Sequence, residues 1–392
     1  MPSTQKVTLR DTTLREGIQI PGSRVGIEQK RLFVKMLRQL GMCEVEIGLP
    51  DGMEACAELA AFIHDMVGIQ ASALVPCYVG HWRRQVDGAV EAGLARIDIL
   101  APVSDHLLKE YDHYGMAVGD ITGRLGEVIE YAGGRPLRLG VGLIDACRAP
   151  LERILEIIRP LGSWGADRLV IYDSVGTMLP SKMTSLVKEV RRAGGLPVLA
   201  HCHNDYGLAT ANTLAAVEGG AEAVDVAVNG LGGRAGNAAL EEVALALENL
   251  MGLSTGLNTA MLKDLSAFVE EMTGLRNSPL KPIVGDYCFA HVPVMHVRCI
   301  AGGNPAAFEP FAPGQIGAER RFGFSLAVDY RTALEPFVHR SGCSIAASDV
   351  PELVQVLRSR DTGRGLSEPE VIQSIREFHA GRGDHAGAAA GA

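Results

Sequence analysis

His201 and His203 stand one residue apart, a spacing that suggests chemistry. On a β-strand, positions i and i+2 project to the same face, so both imidazoles would point one way. Two same-facing histidines with one carboxylate form a donor set for a divalent cation. A carboxylate stands ready early in the chain, Glu16 or Asp11, within the run Arg10-Asp11-Thr12-Thr13-Leu14-Arg15-Glu16. Cys202, between the histidines, would face the opposite side and is not taken as a ligand. Arg15, next to the acid, is suited to polarise a carbonyl and to bear developing enolate charge. The segment 230–236 contains Gly230, Gly232, Gly233 and Gly236. Such a run allows a tight turn and a close backbone approach to whatever the site holds.

These residues can meet only if short strands carry them to one end of a sheet. Candidate strands are Lys6–Thr12, Cys43–Gly48, Ala71–Val79, Arg96–Ala101, Leu137–Leu143, Arg168–Tyr172, Pro197–Cys202 and Ala223–Val228. Amphipathic stretches separate them, such as Ile27–Leu40 and Ser181–Ala193. In the latter, Met183, Leu186, Val187 and Val190 fall on one helical face. Gly41, Gly68, Gly93, Gly194 and Gly219 each follow a helical stretch, the place where a left-handed residue ends a helix. Eight β-then-α units predict a (β/α)₈ TIM barrel. A doubly wound open sheet would need a Gly-x-Gly-x-x-Gly turn after strand one, and that strand runs instead into TTLREGIQ.

Barrel enzymes carry their chemistry at the C-terminal strand ends. There the chain places Arg15, Glu16 and Gln19 after strand one and Glu46 on strand two. Asp173-Ser174 follows strand six, His201 to Asp205 strand seven, and Asn229 to Asn237 strand eight. Beyond about residue 255 the rhythm breaks. Residues 259–274 are expected to form one helix. Residues 275–325, with His291 and His296, look irregular, and helices are expected over 327–337, 350–358 and 369–378. The expected division is a catalytic barrel over 1–255, a smaller, mainly helical lid or dimerisation subdomain over 256–380, and a disordered tail over 381–392.

The composition excludes other classes. Lys+Arg number 37 and Asp+Glu 46, so 37 − 46 = −9, against nucleic acid or an anionic membrane as partner. Eight cysteines without a CxxC pair suggest reduced thiols and a cytoplasmic protein. The start, MPSTQKVTLRD, lacks the apolar stretch of a secretory leader, and no run of about 18 apolar residues occurs.

RDTTLREGIQIPG at 10–22 resembles the D-x-T-L-R-[DE]-G-x-Q signature of the DRE-TIM metallolyases. That group includes the isopropylmalate, homocitrate and citramalate synthases and hydroxymethylglutaryl-CoA lyase. HCHNDYGLATANTLAAVEGGA at 201–221 resembles its second signature, and NGLGGRAGNAALEEV at 229–243 the loop and helix after strand eight. KPIVGDYCFAH at 281–291 and NPAAFEPFAPGQIGAERR at 304–321 resemble the synthases' post-barrel region.

The resemblance implies that Glu16, His201 and His203, with Asn237, hold a divalent metal (Mg, Mn or Zn). It implies that Arg15 and Gln19 contact the oxygens of a 2-oxo acid, that Ser174 holds its carboxylate, and that Glu46 is an acid near the substrate. His296 would be an acid/base group supplied by a partner subunit, in a homodimer with shared sites. The implied reaction is a Claisen condensation of an acyl-CoA, acetyl-CoA above all, with a 2-oxo acid. The product would be a 2-alkylmalate- or homocitrate-type acid and CoA. The alternative is the reverse chemistry, a lyase or aldolase cleaving a 3-hydroxy acid. The chain departs from the synthase pattern in three places: Ile144 stands where a glutamate is usual, FAHVPVMHVRCI lacks Ser-Gly before its second histidine, and RFGFSLAVDY lacks a Gly-Lys-His-Ser-Gly run.

Overall fold

The computed structural model describes residues 5–48, 54–111, 120–324 and 330–388. Eight parallel strands form the centre: β1 (Thr8–Asp11), β2 (Glu44–Glu46), β3 (Gln70–Pro76), β4 (Arg96–Pro102), β5 (Arg138–Ile144), β6 (Arg168–Asp173), β7 (Val198–Cys202) and β8 (Ala223–Val226). They are hydrogen-bonded in sequence order and close into a barrel. The seam is β8 on β1, with Thr8 opposite Ala223 and Asp11 opposite Val226. This is the expected (β/α)₈ architecture, and it leaves no place for the open doubly wound sheet.

The helices between the strands bury one face each. Met183, Val187 and Val190 are buried in helix Pro180–Gly194, as their spacing predicts. Glycine ends several helices: Gly41, Gly68 and Gly93 take φ of 101°, 91° and 70°. Two others lie one residue later than expected. Gly195 (φ 62°) and Gly220 (φ 101°) are the left-handed residues, not Gly194 and Gly219. Gly219 serves packing instead, since a Cβ there would lie 2.8 Å from the Thr184 carbonyl and 2.9 Å from Val187 Cβ.

Part of the barrel interior is ionic. Arg10 grips both carboxylate oxygens of Asp225 at 2.6 and 2.7 Å, and reaches Asp98. Its Nη1 also lies 3.2 Å from Glu46 and 3.8 Å from Glu44. Arg168 donates to both oxygens of Glu44 (2.9 and 2.8 Å) and of Asp98 (3.0 and 2.8 Å). Burial acts to raise the Asp98 carboxyl, but Arg168 and Arg10 outweigh it and hold it below the usual range. Gly140 makes room for this network: a Cβ there would sit 2.0 Å from Asp98 Oδ1. An apolar cluster of Leu74, Leu100, Val170, Tyr172 and Leu199, with Tyr78 and Ile144 against it, contributes the other lining.

The chain divides into two compact units, Met1–Thr259 with Leu265–Leu275, and Ala260–Asp264 with Arg276–Ala392. The second has its own core, including Val297, Phe322, Phe337, Leu353, Leu357, Val371 and Ile375. Its helices are Val294–Ala301, Tyr330–Ser341, Val350–Arg360 and Glu368–Ala388. Two short parallel strands, β9 (Ala290–His291) and β10 (Arg321–Phe322), order the stretch expected to be irregular. The start of the helix expected at 327 falls outside the described residues. Helix Glu368–Ala388 runs on into the stretch expected to be a tail. Among the described residues no helix is long and apolar enough to cross a membrane.

Candidate active site

The site begins where β1 ends. Residues Thr13–Gly17 form a single wide π-turn, with the Thr12 carbonyl accepting from Glu16 N–H (2.8 Å) and Gly17 N–H (3.3 Å). Such widened turns often mark functional sites. Asp11 anchors the turn, accepting from Thr13 N–H at 3.0 Å and from its hydroxyl at 2.8 Å. Burial pushes the Asp11 carboxyl up to about 7. Of the two early carboxylates, Asp11 is therefore committed to the turn, and Glu16 is the one that joins the histidines.

Glu16, His201 and His203 are all buried, and their ligand atoms lie within 4.8 Å of one another. His201 ends on β7 with its Nδ1 2.9 Å from Asp225 Oδ2, the carboxylate gripped by Arg10. A ring that donates from Nδ1 to a carboxylate keeps its Nε2 lone pair free. His203 Nε2 lies 3.3 Å from that Nε2 and 3.8 Å from Glu16 Oε1. Burial, with His201, Arg234 and Arg15 nearby, pushes His203 down to about 2, so its imidazole is neutral.

Asn237 lies opposite His203 in a bridge and is buried, with both amide atoms lacking a hydrogen-bond partner among the described residues. Two imidazole nitrogens and a carboxylate thus converge, the carboxylate also accepting from Arg15 and from Gly233 N–H, and Asn237 sits on the strand bridge beside His203. That set fits a divalent cation, and its mixed nitrogen and oxygen character suits Zn²⁺, Mn²⁺ or Mg²⁺.

The glycine loop after β8 is shaped around these groups. A Cβ on Gly232 would lie 2.8 Å from Asn237 Cγ, and one on Gly233 would lie 3.3 Å from Glu16 Oε1. Arg234 (φ 58°) clips the loop down, donating to Asp205 at 2.7 and 2.9 Å and to the Ser174 carbonyl at 2.7 Å.

Arg15 donates through Nε to Glu46 and through Nη1 to Glu16, and its buried Nη2 has no partner among the described residues. Glu46, fully buried at the end of β2, thus holds Arg15 on one side and lies near Arg10 on the other. Ser174 follows β6, and its Oγ accepts Asp145 N–H at 2.8 Å, leaving the hydroxyl proton to donate elsewhere. Gln19 is exposed just past the turn. Ile144 ends β5 and packs on the apolar cluster rather than supplying an acid.

His296 belongs to the second unit, on helix Val294–Ala301, stacked on Phe308 with ring centroids 3.8 Å apart. Its neighbour His291, at 5.9 Å between rings, lies 3.3 Å from Glu309, which Arg320 holds with two bonds. Three residues escaped the sequence reading. Asp225 has a legible signal, a lone acid between valines on an alternating strand. Asp145 (φ 61°), which binds Arg148 and Ser104, and Tyr172, whose ring lies 4.8 Å from that of His201, have none.

Residues 6–269 match the family model described as HMGL-like. The chain is 36% identical to a homocitrate synthase of Methanopyrus kandleri, over 98% of this chain and 95% of that one. It is 36% identical to a 2-isopropylmalate synthase of Sulfolobus acidocaldarius, over 81% of this chain and 82% of that one. Among solved structures, hydroxymethylglutaryl-CoA lyase of Pseudomonas aeruginosa superposes with a TM-score of 0.62 at 23% identity, covering 70% of this chain and 95% of that one.

Proposed function

Because the chain belongs to the HMGL-like family, we propose that it catalyses a Claisen-type condensation. An acyl-CoA, acetyl-CoA in the first place, joins a 2-oxo acid and water to give a 2-alkylmalate- or homocitrate-type acid and free CoA. The observation that carries this reading is the converging Glu16–His201–His203 set with Arg15 beside it. The synthase relatives, aligned along most of the chain, support the condensing direction over the lyase alternative.

In this mechanism Glu16, His201, His203 and Asn237 would hold the cation, which when bound would supply Lewis acidity toward the ketone of the 2-oxo acid. Arg15 directs its unpartnered Nη2 at the oxygen that gains negative charge as the new carbon–carbon bond forms. Glu46 keeps the guanidinium in that orientation. Ser174 donates its hydroxyl proton to the acid's carboxylate, and Gln19 contacts it from the exposed side. The resemblance to the synthases assigns the acid/base role to His296, provided by a partner subunit in a homodimer with shared sites. The eight unpaired cysteines suit a reducing, cytoplasmic setting, which cell fractionation would check.

The direct test is thiol release from acetyl-CoA across a panel of 2-oxo acids with a divalent metal. Release is expected with at least one acid. No release with any of them, or with longer acyl-CoA thioesters, eliminates the condensation. Sharing of the site has its own test. Arg15→Ala and His296→Ala homodimers, each inactive, should regain activity toward about a quarter of wild type when their subunits are mixed, because half of the chains pair as heterodimers with one intact site. Mixing without recovered activity would show that His296 and Arg15 do not work across subunits.

A further inference from the structure

We propose that the Tyr172 hydroxyl is a substrate-binding group, donating a hydrogen bond to an oxygen of the 2-oxo acid held beside His201. This inference rests on the 2-oxo acid reading above and extends it to a residue that no motif marks. Tyr172 lies on β6 directly opposite His201 on β7, and the two rings are 4.8 Å apart. Residues two apart on a strand share a face, and Ser174 follows Tyr172 at that spacing just past the strand's end.

The barrel makes a slot for this ring. A Cβ on Gly142 of β5 would lie 2.7 Å from Tyr172 Cε2 and 2.9 Å from Leu100 Cδ2. The ring therefore fills the space that a side chain at 142 would take, and Leu74, Leu100, Val170 and Leu199 pack around it. The orientation is set by packing, while the hydroxyl is left without a partner among the described residues although Tyr172 is only 5% exposed. Buried tyrosine hydroxyls normally find a partner, and the surrounding leucines and valine offer none. A phenol is protonated at neutral pH, so the hydroxyl acts as a donor. A neutral donor beside a cation-binding imidazole suits an anionic or keto oxygen, which is what a 2-oxo acid presents.

The test is binding, measured by calorimetry on the full-length, metal-loaded protein with pyruvate, 2-oxobutyrate, 2-oxoisovalerate and 2-oxoglutarate as probes. Tyr172→Phe keeps the ring and removes only the hydroxyl. The dissociation constant of the best-bound acid is expected to rise about tenfold. Metal content should stay unchanged, and the melting temperature unchanged or higher, because no bond within the protein is lost. An unchanged dissociation constant overturns the proposal, whether or not the melting temperature falls, and so does a wild-type protein that binds none of the four acids. If the acids bind, Tyr172→Phe weakens them and yet no acyl-CoA releases thiol, then the condensation reading fails and the role of Tyr172 stands.

Discussion

Replacing His203 with alanine should empty the metal site and abolish turnover. The wild-type chain is expected to hold about one divalent ion per subunit, and the variant close to none, by metal analysis after gel filtration. Thiol release should fall by a factor on the order of a thousand or more, since Lewis-acid polarisation supplies several kcal/mol of transition-state stabilisation. His203 is the sharpest probe because, among the described residues, its Nδ1 lacks a partner and its Nε2 faces the other ligand atoms. Asp225→Asn provides a graded comparison. It leaves every ligand in place but weakens the contact that orients His201, and such losses typically cost about 10- to 100-fold in metal affinity. A His203→Ala protein with unchanged metal content would remove His203 from the ligand set.

The second large effect is on stability. Arg10→Met removes the cation that Asp225 and Asp98 share within the barrel and that also lies near Glu44 and Glu46. Leaving a buried charge uncompensated costs about 3–5 kcal/mol, against a total stability of roughly 5–15 kcal/mol for a protein. The expected result at pH 8 is a marked drop in the urea midpoint. The variant should also weaken the pH dependence that these acids give the wild type, most of all through Asp225, whose largest counter-charge is Arg10. In the wild type Asp98 and Glu44 are held below their unfolded values, so their contribution is present above about pH 4 and is lost as pH falls through the folded values. Without Arg10, burial is less opposed and the folded values rise. The gain in stability above about pH 4 is then smaller than in the wild type, with Arg168 still holding Asp98 and Glu44. A midpoint equal to wild type at pH 8, with the same slope toward acid, would show that Arg168 alone balances the network.

Most of the barrel was legible because its signals are local. Alternation, β-branched runs and helical spacing located all eight strands, and the observed ends differ by only a few residues. Helix ends were less exact where packing decided them: Gly219 stays right-handed against Thr184 and Val187, and the left-handed residue moves to Gly220. The metal-site candidates were legible because His201-x-His203 is a short-range pattern on a strand. The choice of Glu16 over Asp11 came only from the resemblance and not from spacing, since it depends on a π-turn that turns one acid inward and ties the other to Thr13.

The chain's own order of residues thus determined the eight-fold β/α repeat, the strand that carries the two histidines, and the pair of acids from which a third ligand could come. Tertiary structure alone decided which groups meet. Asp225 reaches His201 from the neighbouring strand, and only the closure of β8 on β1 brings Arg10 onto the same carboxylate, a contact spanning 215 positions. Tyr172 turns its ring inward because Gly142, on the neighbouring strand, leaves a gap for it. Periodicity records which face a residue takes, but the partner it meets there depends on ring closure and on the volume that other strands leave unfilled. Those are properties of the packed barrel, and no single segment carries them.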